Sequence, residues 1–102
     1  LMAHFDVVLP GRVHRVIYEH MVDDTEGEVR RLLDYCGLPF EDACLRFYEN
    51  DRAVRTASSE QVRQPIFRDA MDHWRHYEPW LDPLTAALGP VLDAYPAAPP
   101  LP

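Results

Sequence analysis

The run Arg-Thr-Ala-Ser-Ser-Glu-Gln-Val-Arg-Gln-Pro-Ile-Phe, Arg55 to Phe67, gathers the side chains of this chain best suited to chemistry. Two guanidinium groups and three hydroxyls precede a Pro-Ile-Phe stop. Arginine's planar fork suits bidentate contact with phosphate or carboxylate, and a serine at a helix start can hold an anion or cap the helix. An anion site, a serine-capped turn and a plain polar loop all fit the run taken alone. Other candidates are weaker. His73 and His76 have the i, i+3 spacing that two metal ligands use, but no Cys, Asp or Glu in a convincing third position joins them, so no metal site is assigned. Cys36 and Cys44 flank a Gly-Leu-Pro turn; a disulfide is compatible with that spacing, and buried free thiols in a reducing cytoplasm are the preferred reading. Asp23-Asp24, Glu26 and Glu28 suit a helix N-terminus and need no catalytic explanation.

The elements that must position these groups can be read from pattern and punctuation. Leu1 to Val8 reads as the end of a helix stopped by Leu9-Pro10-Gly11. Val13, Val16, Ile17 and Tyr18 form a short β-rich run, read as one strand ending near Glu19. Thr25, with Glu28 three residues on, predicts a capping box opening a helix whose apolar face is Val29, Leu32, Leu33 and Cys36 and whose stop is Gly37. A short helix from Glu41 to Phe47 should bury Ala43, Cys44 and Phe47. Tyr48 to Thr56 reads as a loop, followed by a turn capped by Ser58 or Ser59, running through Val62 and ended by Gln64-Pro65. Helices from about Asp69 to Tyr77 and Asp82 to Leu92 complete the chain, the second with Leu84, Leu88, Val91 and Leu92 inward. Residues 93–102 form a proline-rich tail, expected to be disordered.

This gives a mainly α chain of four to five short helices with about one strand. A lone buried strand leaves backbone donors and acceptors unpaired, so it implies a sheet supplied elsewhere. The chain also opens directly in the apolar pattern Leu-Met-Ala-His-Phe-Asp-Val-Val. Both features predict the C-terminal portion of a larger α/β domain, spanning residues 1–92. With 17 acidic and 10 basic side chains and a net charge of −7, the chain lacks the cationic excess that general nucleic-acid binding requires. All ten basic residues are arginine. No apolar run approaches the roughly 20 residues that span a membrane.

Four pieces in order then carry a resemblance: "LPGRVHRVIYEHMVDD", "LLDYCGLPFEDACLRF", "RTASSEQVRQPI" and "HWRHYEPWLDPL". Together they resemble the C-terminal half of sulfotransferases that use 3′-phosphoadenosine 5′-phosphosulfate (PAPS), nearest the bacterial and tyrosylprotein-type enzymes, including those fused to tetratricopeptide repeats. The resemblance implies a P-loop-like α/β fold and transfer of a sulfuryl group to an acceptor hydroxyl or amine. It also implies that Arg55, Ser58, Ser59, Gln61, Val62, Arg63, Pro65 and Phe67 belong to the segment wrapping PAPS or its product 3′-phosphoadenosine 5′-phosphate (PAP). Ser58 would donate to a phosphate with help from the following amides, and Tyr18 would meet the nucleotide at the end of the strand. Where such enzymes usually carry Lys or Arg, eight residues after Pro65, this chain has His73. Histidine is only partly charged near neutrality, which implies weaker, pH-dependent binding of the donor.

The family's Gly- and Ser/Thr-rich phosphosulfate loop and its general base find no match here, so no catalytic residue is assigned and the chain by itself is expected to be inactive. A non-catalytic reading stands beside the enzymatic one. In it the chain is a small helical binding or oligomerising module that self-associates through the edge of the Val13–Tyr18 strand. Trp74, Tyr77, Trp80 and Leu81 are expected in a core or, in a truncated protein, in an exposed apolar patch that recruits a partner.

Overall fold

The structure is a computed structural model that describes residues 1–97. Helix dominates, and no strand forms among the described residues. The chain divides into two compact units, Val16–Arg68 and a second made of Leu1–Arg15 with the chain from Asp69 on.

In the first of these units, α2 (Tyr18–Asp23) packs against α3 (Thr25–Cys36). The expected strand is replaced by two things. Residues 12–17 carry no regular structure, with Ile17 extended at φ −91° and ψ 124°, and Tyr18 opens a helix. The β-branched run favours extended backbone, but a strand needs a ladder partner and none is present among the described residues. Val22 on α2 is buried, at 7% exposure, and is the buried apolar side chain among the described residues.

The N-terminus of α3 is set one residue earlier than the pattern suggests. Asp24, not Thr25, is the N-cap, its carboxylate accepting from the Gly27 amide at 3.0 Å. Thr25 occupies the first helical position and donates its hydroxyl to the Met21 carbonyl at 2.7 Å, which links α3 back to α2. Glu28 therefore makes no reciprocal capping bond. It is the buried charged residue, at 5% exposure, paired with Arg31 and lying 4.0 Å from His20 Nδ1 on α2. A carboxylate removed from water needs such partners to be tolerated.

The C-terminus of α3 closes as expected. Gly37 takes the left-handed conformation at φ 69° and ψ 29°. Its amide donates to the Asp34 carbonyl and that of Leu38 to Leu33, at 3.0 and 2.9 Å, satisfying the last turn in a Schellman arrangement. The chain then returns so that the Arg30 guanidinium sits 3.6 Å from the Phe40 ring centroid, while the same side chain pairs with Glu26 at 2.7 Å. The next helix is a 3₁₀ segment, Asp42–Glu49, interrupted at Arg46. It leaves Ala43 exposed, Cys44 half-buried and Phe47 38% exposed, rather than burying all three. Both cysteines are free, and Cys36, expected inside, is exposed. Arg68 closes the unit by pairing with Asp23 at the end of α2.

In the other unit, α1 (Met2–Val8) ends where Leu9-Pro10-Gly11 predicts, and Arg15 pairs with Asp6. His73–Trp80 is a 3₁₀ helix preceded by turns from Asp69, so the expected α-helix is tightened and carries Pro79 inside. Beyond it, one expected helix becomes two, α4 (Asp82–Leu88) and α5 (Pro90–Ala94). The break is Gly89, at φ 48° and ψ −122°, a backbone shape that side-chain-bearing residues rarely adopt, followed by Pro90, which lacks an amide to continue the ladder. Leu84, Leu88, Val91 and Leu92, expected inward, are all at least 36% exposed. Helix α5 reaches into the expected tail as far as Ala94, and residues 98–102 of that tail lie outside the described residues.

Candidate functional site

The Arg55–Phe67 segment lies wholly in the Val16–Arg68 unit. Residues 51–55 are irregular, 57–60 form a turn, and Gln61–Arg63 is a single 3₁₀ turn packed against Asp42–Glu49. Gln64 is extended at ψ 152°, the conformation that the following Pro65 imposes. The serines contribute differently from a simple cap. The Ser58 carbonyl accepts from the Val62 amide at 3.1 Å, and no serine side chain caps the 3₁₀ turn. The hydroxyl of Ser58 lies 3.0 Å from that of Thr56. The Ser59 amide donates to the Thr56 carbonyl at 3.1 Å, which folds the two hydroxyls onto one tight turn.

The segment around this hydroxyl pair is rich in arginine. Between Asn50 and Arg68 the sequence holds four arginines and two carboxylates, a local excess of positive charge within a chain of net −7. Arg55 is exposed and, among the described residues, in no ion pair, and the same holds for Arg52. Arg63 is engaged otherwise. Its guanidinium donates to the carbonyls of Asn50 and Arg52, both at 3.4 Å, and so ties the 3₁₀ turn to the preceding loop. The two segments enclose a hollow of about 240 Å³ lined by Phe47, Asn50, Arg52, Val54, Val62 and Arg63. Thr56, Ser58 and Arg55 do not line this hollow, so the hydroxyl turn and the hollow are two separate features of the segment.

The remaining expected residues fall into three groups. Ser58 and Ser59 are both half-buried, whereas Gln61, Pro65 and Phe67 are exposed along the same segment. Tyr18 stands at the start of α2, 48% exposed, and α2 makes no contact with the Gln61–Arg63 turn among the described residues. His73 lies in the other unit, its ring stacked on His76 with centroids 6.0 Å apart. Two residues that the resemblance assigns no role take part in the contacts of this segment. Thr56 was legible as a hydroxyl two residues before Ser58, but the tight turn that joins them was not. Arg52 sits outside the recognisable run and is drawn in by the Arg63 carbonyl bond.

Among the described residues no cluster of three metal-ligating side chains occurs, and no helix is long and apolar enough to cross a membrane.

Residues 1–42 match the family model described as the sulfotransferase family, which supports a relationship between this chain and that family. An uncharacterized protein of Aquifex aeolicus (strain VF5) is 38% identical over 88 residues, a stretch that is 86% of this chain and 12% of the relative. The chain thus spans about an eighth of the length of this curated relative. No solved structure matches the chain.

Proposed function

We propose that this chain is the C-terminal part of a sulfotransferase domain and contributes the 3′-phosphoadenosine side of its PAPS site. The observation that carries the reading is the Thr56–Ser58 hydroxyl pair set beside the unpaired Arg55, in a locally cationic stretch of an acidic chain. The sulfotransferase match upstream, over residues 1–42, supports the same ancestry independently of that segment. PAPS, when bound, supplies the activated sulfuryl group. Ser58 donates its hydroxyl to a phosphate oxygen, with Thr56 fixing the rotamer. Arg55 adds a charge-assisted bond, of the kind that is shorter and stronger than a neutral one. Arg63 holds the loop and raises the local potential. In the whole enzyme, in-line transfer to a hydroxyl or amine would draw on cationic and amide donors that stabilise the sulfuryl and leaving phosphate oxygens. This chain has no counterpart for the phosphosulfate loop or the base, so its part is to bind and orient.

Alanine at Arg55 and at Ser58 tests the assignment. Each exposed charge-assisted or hydroxyl bond contributes about 1 kcal/mol, so the pair should weaken PAP binding roughly tenfold or more. Unchanged affinity in the double variant would remove the segment from the site.

A second reading, a non-catalytic helical binding module, is favoured by burial. Val22 alone among the large apolar side chains described is buried, and Trp74, Tyr77 and Trp80 are each at least half exposed. Such surface is unusual for a free-standing domain and suits one that packs on other protein.

A further inference from the structure

We propose that the groove beside α4 is the docking site for a basic amphipathic helix of a partner protein. The groove, about 410 Å³, has Leu81, Leu84, Leu88 and Leu92 along its floor and Trp74 as one wall. The leucines recur at helical spacing, yet Leu84 is 53% and Trp74 50% exposed. Thr85, the polar side chain on the floor, is satisfied within α4, its hydroxyl donating to the carbonyls of Leu81 and Asp82 at 3.1 and 2.9 Å. The floor therefore asks for apolar atoms. An incoming helix offers them at i, i+3 or i+4 and i+7, the register of helix-in-groove recognition.

Charge selects the kind of helix. Glu78, near the end of the His73–Trp80 helix, and Asp82, at the start of α4, line the same groove, and among the described residues neither is in an ion pair. The nearby Asp72 differs, because Arg75 already holds it at 2.9 Å. Two free carboxylates beside an apolar floor favour Lys or Arg at one end of the bound helix and repel an acidic one. The same charges oppose a second copy of this chain, at net −7, and an anionic membrane surface. The groove lies in the unit that begins again at Asp69, so the inference stands apart from the nucleotide reading of Arg55–Phe67.

The test uses the full chain and two fluorescein-labelled 14-residue helical peptides with identical leucine stripes, one flanked by Lys and Arg, the other by Glu. Anisotropy should show the basic peptide binding about tenfold more tightly, from two partly exposed ion pairs. The preference should fall to within about twofold in Glu78→Gln/Asp82→Asn and in high salt. Leu84→Lys, at a half-exposed position that keeps its helix by circular dichroism, should abolish binding of both peptides. Equal affinity for the two peptides would overturn the proposal, as would binding of neither. Sedimentation showing a dimer that Leu84→Lys dissociates would overturn it in favour of a second copy.

Discussion

The start of α3 offers a sharp test, because two neighbouring residues compete for the role of cap and the structure chooses one. Asp24 accepts from the Gly27 amide, and a β-carbon built at Gly27 would lie 2.1 Å from Asp24 Oδ2. Alanine at 27 must therefore push the cap carboxylate out into solvent, which a flexible exposed side chain can do. Losing the cap costs about 1 kcal/mol, and replacing glycine by alanine in the first turn returns about 0.5–1 kcal/mol. Gly27→Ala should then be close to neutral in the parent chain. In an Asp24→Ala background there is no cap to displace, so the same change should stabilise by its full 0.5–1 kcal/mol, an estimate of about the propensity difference alone. The double-mutant cycle should show a coupling of about 1 kcal/mol. Urea titrations followed by circular dichroism at 222 nm measure all four corners. Additivity within about 0.3 kcal/mol would refute Asp24 as the cap and return the role to Thr25.

Two further perturbations follow from single contacts. Gly37→Ala meets no atom within 4 Å, so its cost is purely that of the left-handed backbone; about 1–2 kcal/mol lost in the same urea titration is expected, and a neutral result would contradict the Schellman closure of α3. Arg63→Ala removes both carbonyl bonds to Asn50 and Arg52, and limited proteolysis should then cut faster between residues 50 and 55, whereas Arg55→Ala should leave the cleavage rate unchanged.

How much was legible in the sequence depended on whether local chemistry decided the outcome. The stop at Leu9-Pro10-Gly11, the Gly37 closure and the Gln64-Pro65 turn end were all readable, because proline and glycine restrict backbone without help from tertiary contacts. Val13 to Tyr18 was misread because β-branched residues state a preference for extended backbone, while a strand requires a neighbour; Tyr18 instead joins a helix whose burial centres on Val22. The Thr25 capping box failed through a near-degenerate choice, since Asp24 and Thr25 are both good caps and only packing of the Thr25 hydroxyl on Met21 separates them. Leu84, Leu88 and Leu92 were read correctly as one stripe and wrongly as core, because periodicity reports which face is apolar and not what covers it. At the candidate site, residue types were visible in Arg55 to Phe67, but the Thr56–Ser58 contact and the Arg63 tether to the 50–52 loop depend on a turn that composition does not specify.

The most direct test of the nucleotide reading is a titration of the ¹⁵N-labelled chain with PAP, and with AMP as the control lacking the 3′-phosphate. The account predicts that PAP shifts the amides of Arg55 to Arg63 at concentrations where AMP does not, with the largest changes at Ser58 and Ser59. Equal responses to the two nucleotides, or shifts confined to other parts of the chain, would contradict it.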